Sequence, residues 1–182
     1  MKKKWSIKML AEGGMMIALS TLLSYITVYK APNGGSVTAG SMIPIMLFAI
    51  RWGLTPGVAV GVTYGVLQFI LEPQFYHPVQ VILDYPLAFG LLGLAGIISS
   101  KANKNSDKVY LNISFGVSLA MLGRMISHVL SGVIFFAEYA GDKNPWIYSI
   151  VYNATYLIPE LIISCIVIAM IWRPIQKAVG SK

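Results

Sequence analysis

Residues 146–172 read WIYSIVYNATYLIPELIISCIVIAMIW, an apolar run in which Glu160 is the one ionisable acid or base apart from tyrosines and a thiol. A helix rises about 1.5 Å per residue and the hydrocarbon core of a bilayer is roughly 30 Å thick, so this stretch is long enough to cross with some tilt. Water does not solvate such a surface; lipid does. Working outward towards the N-terminus, five more apolar stretches separate polar connections, giving expected spans at about residues 8–28, 41–50, 57–71, 79–99, 109–136 and 146–172. The fold class expected is an all-α integral membrane protein of six transmembrane helices, one domain covering residues 1–182. Stretches 41–50 and 57–71 are short for a full crossing, and flanking residues or local bilayer thinning has to make up the difference.

Composition agrees. The chain is 56% hydrophobic and 12% charged, where a soluble domain carries about 25% charged residues. Six spans and short loops use up the 182 residues, which leaves no room for a soluble catalytic or ATP-hydrolysing module. No G-x-x-x-x-G-K-[ST] phosphate loop occurs. Uphill movement of any solute then draws on a partner or an ion gradient. Cys165 is the single cysteine, so no intramolecular disulfide or cysteine metal cluster can form. The basic start, Met1-Lys2-Lys3-Lys4, precedes an apolar stretch as a signal peptide would. Without a small-residue cleavage site, and with five spans following, it is read as a retained first span.

The net charge of +7 would raise nucleic acid as a partner for a soluble protein. Placement gives a simpler reading. With the N-terminus inside, the cytoplasmic segments hold Lys2, Lys3, Lys4, Lys8, Arg51, Lys101, Lys104, Lys108, Arg173, Lys177 and Lys182, and the outer loops hold Lys30 and Lys143. Eleven against two satisfies the positive-inside rule and places both termini in the cytoplasm. No nucleic-acid partner is expected.

Small residues recur at helix-packing intervals. Gly57, Gly61 and Gly65 make a stripe on the third span, and Gly14 with Ala18 makes a pair on the first. Such positions let backbones approach closely. The span 3 stripe is expected to pack within the chain; the span 1 pair serves either internal packing or a partner surface.

Ionisable groups inside a bilayer are costly and face cavities or partners. Four stand out: Asp84 on span 4, Arg124 and His128 on span 5, and Glu160 on span 6. Arg124, His128, Gly132 and Phe136 are spaced by four and share one slowly turning helix face, offering a cation, an imidazole, a gap and a ring. Asp84-Tyr85-Pro86 adds a carboxylate, a phenol and a helix irregularity, since proline removes a backbone donor. Span 6 contributes Tyr148, Tyr152, Asn153 and Tyr156. Asn153 can donate and accept, which suits a heteroaromatic ring, whereas the tyrosines equally suit an interfacial belt. Arg124 and Glu160 lie at similar depth and are expected to pair. That leaves Asp84 as a carboxylate for a cationic ligand to complete. His77 and His128 lack metal-ligand spacing and no H-E-x-x-H cluster exists, so no metal or cofactor is expected. Asp84 and His128 as an acid–base pair keep an intramembrane enzyme as an alternative.

The segments that carry a resemblance are His77-Pro78-Val79-Gln80-Val81-Ile82-Leu83-Asp84-Tyr85, His128-Val129-Leu130-Ser131-Gly132-Val133-Ile134-Phe135-Phe136, Trp146 through Tyr156, and Met42-Ile43-Pro44-Ile45 with Phe48-Ala49-Ile50-Arg51-Trp52-Gly53. Together, in order and spacing over nearly the whole chain, they resemble the thiamine-specific substrate-binding subunit (S component) of energy-coupling factor transporters. The resemblance implies a six-helix S-component fold in a bacterial cell membrane with a thiamine pocket near the outer surface. It implies a lid from the loop at Asn33, Gly34, Gly35 and Ser36. It also implies a transmembrane coupling subunit and two cytoplasmic ATPases as partners, with Gly14 and Ala18 at the family's coupling-subunit contact. The protein would be a transport subunit, not an enzyme. Carried over by position, the family's ligand-binding residues fall on Asp84, Tyr85, Arg124, His128, Gly132, Phe136, Tyr148, Asn153 and Tyr64. Some relatives have glutamate at the position of Asp84, lysine at Arg124 and tryptophan at Phe136. The chemical types are kept while reach and stacking area shrink, which bears on affinity and on preference among thiamine analogues. An S component for another vitamin is the nearest competing reading. Thiamine has a cationic thiazolium and a neutral aminopyrimidine, which a carboxylate and aromatic faces would answer.

Overall fold

The computed structural model describes residues 5–32, 34–99 and 108–179. Within these residues the chain is six helices and one short hairpin. Helix α1 (Ile7–Ser24) starts at Ser6, whose hydroxyl accepts the amide of Met9 at 3.2 Å. The hairpin pairs β1 (Thr27–Lys30) with β2 (Ser36–Thr38), antiparallel, with Thr27 opposite Thr38 and Lys30 opposite Ser36. Helix α2 (Ile43–Trp52) carries Pro44 in its first turn and ends at Gly53, whose φ of 102° turns the chain straight into α3 (Leu54–Leu71). Helix α4 (Pro78–Ile98) follows, then α5 (Val109–Phe135), a 3₁₀ turn over Ala137–Ala140, and α6 (Pro145–Val179).

Five of the helices, all but α2, are long and apolar enough to cross a membrane. Helix α2 is 10 residues long and nearly every one of them is buried. A helix apolar all round belongs in a core, and α2 packs against α1, α3 and α4. Its apolar surface is therefore covered by other helices of the same chain. The last helix runs past the expected end at Trp172 to Val179, through Pro159 and Pro174. The stretch expected to be a loop of turn formers between the first two spans is instead the hairpin. Of the expected lid residues, Asn33 lies outside the described residues.

The glycine stripe of α3 is packing within the chain. A Cβ on Gly57 would fall 2.5 Å from that of Ala49 and 3.1 Å from Cα of Gly93, one on Gly61 would strike the carbonyl of Phe89, and one on Gly65 would lie 2.5 Å from the carbonyl of Tyr85. Helices α3 and α4 thus touch backbone to backbone along their length. Helix α4 is not uniformly wound. An α-helical turn from Pro78 passes into a π turn over Leu83–Leu87 that contains Pro86, and the end from Leu91 to Ile98 is 3₁₀. Proline cannot donate and its ring crowds the preceding turn, so the helix takes up an extra residue there, at Asp84.

At the other end of α1, Glu12 holds α1 to α2. Its Oε2 accepts the Trp52 indole N–H at 2.6 Å and pairs with Arg51 Nε at 3.1 Å. Nearer the C-terminal end of α1, Tyr64 of α3 donates its hydroxyl to the carbonyl of Ser20 at 3.3 Å. Gly14 and Ala18 face away from both contacts and are exposed, and a Cβ on Gly14 would meet nothing within 4 Å.

Candidate functional site

Asp84 sits in the π turn of α4, and three side chains close on its carboxylate. His128 Nδ1 lies 3.1 Å from Oδ1, while Oδ2 accepts from Ser131 Oγ at 2.9 Å and Gln80 Nε2 at 2.7 Å. A carboxylate acceptor calls for the proton on Nδ1 of His128, which leaves Nε2 as an acceptor, buried and without a partner. Ser127, one residue before His128, donates to the carbonyl of Leu83 at 2.6 Å and so ties α5 to the π turn. Gln80 also ties the α3–α4 connection to the site: its amide donates to the Gln74 carbonyl at 3.3 Å and its oxygen accepts the Tyr76 amide at 3.0 Å. Asp84 is thus a carboxylate held in a fixed orientation by three donors.

The expected Arg124–Glu160 pair does not form. Arg124 lays its guanidinium 4.0 Å over the ring of Phe89, with Nε and Nη1 buried and unpartnered. Glu160 turns its Oε1 to Thr38, accepting from the amide at 2.5 Å and from the hydroxyl at 2.7 Å, and its Oε2 is buried without a partner. The reason is geometric. Depth along two helices does not fix azimuth, and Thr38, at the end of β2, supplies both of its donors to the carboxyl group.

Helix α6 lies close on α5 because Gly132 has no side chain; a Cβ there would collide with Ser149 Oγ. That hydroxyl donates to the Val129 carbonyl at 3.1 Å, and Asn153 donates to the Ser149 carbonyl at 2.9 Å. Tyr156 donates in turn to Asn153 Oδ1. Tyr148, Tyr152 and Tyr156 recur every four residues and form a ladder, the first two stacked at 6.2 Å between centroids and the last two edge to face at 5.9 Å. The hydroxyl of Tyr152 accepts the Gly35 amide at 3.3 Å, and Gly35 lies so close on the Tyr156 ring that any Cβ would overlap it. The His128 ring meets Tyr156 edge to face at 6.3 Å.

The structure thus brings Asp84, His128, Gly132, Asn153 and Gly35 into one connected patch, with Tyr148 at its edge on the ladder. Tyr64, Phe89 and Arg124 form a stack: Tyr64 is fully buried and meets Phe89 edge to face at 4.8 Å. Phe136 packs instead with Tyr76 at 5.3 Å and Tyr139 at 6.1 Å. Tyr85 turns to the α3–α4 connection, donating to the Glu72 carbonyl at 2.9 Å and accepting the Gln74 amide at 3.0 Å, with its ring on Phe69. Gln80, Ser127, Ser131, Ser149, Phe89 and Thr38 were not among the expected residues. Gln80 and Asp84 are four apart on one helix, as are Ser127 and Ser131, so that spacing was the available signal. Thr38 carried none. No group of three or more potential metal ligands occurs among the described residues.

Chemically, the patch presents an anion held by three donors, several aromatic faces and a guanidinium with spare N–H groups. That set suits a cationic, partly aromatic solute. Residues 10–179 match the family described as thiamine transporter protein (Thia_YuaJ). The chain is similar to a thiamine transporter ThiT of Bacillus subtilis (strain 168), 35% identical and covering 94% of each chain. It is also 28% identical to a thiamine transporter ThiT of Lacticaseibacillus paracasei, covering 94% of this chain and 90% of that one. A solved structure of ThiT from Listeria monocytogenes superposes with a TM-score of 0.85 at 25% identity, covering 94% of this chain and 96% of that one. With a hydrogen-bonded acidic site, five membrane-length helices and a match that spans almost its whole length, the chain belongs to the thiamine transporter protein family.

Proposed function

We propose that the protein captures thiamine at the outer face of the bacterial cell membrane and hands it to an energy-coupling factor module. In this reading it is a substrate-binding subunit with six transmembrane helices and both termini in the cytoplasm. A transmembrane coupling subunit and two cytoplasmic ATPases supply the energy, and no cofactor takes part. The observation that carries the ligand is Asp84: a carboxylate ordered by Gln80, His128 and Ser131, within a membrane-spanning bundle, favours a permanent cation over a neutral solute. The thiazolium would lie against Asp84, with His128, Tyr85 and Phe136 about it. Asn153, Tyr148 and the Gly132 gap would receive the aminopyrimidine, and Arg124 and Tyr64 would close the inner wall. The hairpin with Gly34, Gly35 and Ser36, together with Asn33, would cover the site. Membership of the family and the eleven-to-two charge asymmetry support the substrate and the orientation.

The test is calorimetry on the purified protein with thiamine and, for comparison, riboflavin. Thiamine is expected to bind and riboflavin not. Asp84→Asn keeps the shape and removes the charge, and should weaken thiamine binding by about thirtyfold or more, as loss of one partner of a desolvated charge pair costs about 2–5 kcal/mol. Equal affinity in Asp84→Asn would sink the ion-pairing role.

A further inference from the structure

Glu160 is a buried acid that the proposed thiamine contacts do not use. We infer that it pins the root of the 27–38 hairpin to α6 and so sets how long a captured ligand stays. The inference rests on reading that hairpin as the cover of the site.

Four residues of α6 spaced by four, Tyr148, Tyr152, Tyr156 and Glu160, lie along one face, and the segment from Gly35 to Thr38 meets the last three. Gly35 meets Tyr152 and Tyr156, and Thr38 meets Glu160. The two repeats are commensurate. Three residues of strand cover about 10 Å and the eight residues from Tyr152 to Glu160 cover about 12 Å of helix. Both donors of Thr38 converge on one oxygen, the amide at 2.5 Å and the hydroxyl at 2.7 Å. A hydroxyl has one proton. With it on the carboxylate, Thr38 Oγ1 serves as acceptor for the Ser41 amide at 3.1 Å and for the Ser41 hydroxyl at 2.9 Å. Glu160 therefore fixes the hairpin to α6 and, through Thr38 and Ser41, to the entry of α2. Thr38 is buried, while Gly34 beyond the strand is exposed. The root is clamped by the Glu160 carboxyl, and the tip rests on Tyr152 and Tyr156 through Gly35. Gly40, with a φ of 87°, turns the chain just after the clamp. Two bonds from one residue to a single carboxyl oxygen hold the end of the strand more firmly than either alone. Glu160 is accordingly a positioning residue: it touches the cover, and the cover touches the site.

Stopped-flow thiamine binding separates this from a general packing role. Glu160→Gln replaces the carboxyl with an amide and Thr38→Val deletes the hydroxyl while keeping the branched shape. Each should speed thiamine dissociation by about tenfold, the size expected for weakening the hydrogen bonding at Thr38, and leave association within about twofold, since closure follows encounter. Thr38→Ser keeps both donors and should restore wild-type dissociation. Hydrogen exchange on the ligand-free protein provides a second readout. Amides of residues 27–39 should exchange about tenfold faster in Glu160→Gln, with the helices unchanged. Should Glu160→Gln fail to fold, Thr38→Val decides by the same measurements. If the wild type does not bind thiamine, the proposed ligand fails and exchange still decides the anchor. Dissociation and exchange both unchanged in the two variants would overturn it.

Discussion

At Gly132 a single hydrogen in place of a side chain decides how near two helices stand. A methyl group there collides with Ser149 Oγ, which itself bonds the Val129 carbonyl and lies 3.3 Å from the Asn153 amide. Gly132→Ala must therefore push α6 off α5 or break the Ser149 bond. Overpacking of this kind costs about 1–3 kcal/mol, and it also misplaces Asn153. Thermal unfolding in detergent should show that loss, with thiamine affinity down about tenfold or more. Ser149→Ala in the same chain removes the colliding oxygen and should recover part of the stability; the double variant lying at the sum of the two single losses would show that the two sites are uncoupled. Asp84, Arg124, His128 and Glu160 were legible at this scale, because an ionisable residue is expensive in lipid wherever it sits; Glu12, in the first apolar stretch, was not among the expected residues although it bonds Trp52 and Arg51. The pairing of the four was not legible. Hydropathy places a residue in depth, and Arg124 turned to the face of Phe89 while Glu160 turned to Thr38.

Among the elements, α4 is the one whose winding matters most. Its π turn holds Asp84 and Pro86, and each residue added to a helix rotates the remainder of that helix by about 100°. Asp84 thus faces His128 and Ser131 while Tyr85, next along, reaches the α3–α4 connection. Pro86→Ala returns a backbone donor and relieves the ring's crowding, which allows ordinary α-winding. The expected outcome is an unchanged or raised melting temperature together with weaker thiamine binding, and retention of full affinity would show that the winding does not set the carboxylate. Pro86 announced an irregularity in the sequence, although its kind could not be read, since kink, π turn and break share that signal. The hairpin was less legible. Ala31-Pro32-Asn33-Gly34-Gly35 reads as a turn, and the strands either side are too short to show alternation. Irregular backbone inside a bundle is tolerated only when protein satisfies it, and the partners that do so, Tyr152 and Glu160, lie more than a hundred residues away in sequence.

Over the whole molecule, α1 is the least buried of the five membrane-length helices. The side that is held is held firmly, by Glu12 on Trp52 and Arg51 and by the Ser20 carbonyl on Tyr64. The opposite side offers Gly14 and Ala18 with Leu10, Met15, Leu19 and Leu22 exposed about them. A lipid-facing helix has no need of small residues at that spacing; a helix that receives another helix does. The two jobs, ligand capture and coupling, would then rest on separate surfaces: α4, α5, α6 and the hairpin for one, the outer side of α1 for the other. Substitutions should separate them. Gly14→Leu and Ala18→Leu add bulk where nothing in the chain lies within reach of Gly14, so calorimetric thiamine affinity and melting temperature should stay at wild-type values. Co-purification with a coupling module and thiamine uptake by cells should fall together, by about tenfold or more, because a filled groove prevents close helix approach. Arg51→Met serves as the contrasting variant. It strands Glu12 inside the bundle, and an unpaired buried charge costs about 3–5 kcal/mol, so here stability falls along with uptake, and replacing Glu12 with Gln as well should recover much of it. Full uptake in Gly14→Leu would mean that the α1 surface meets only lipid.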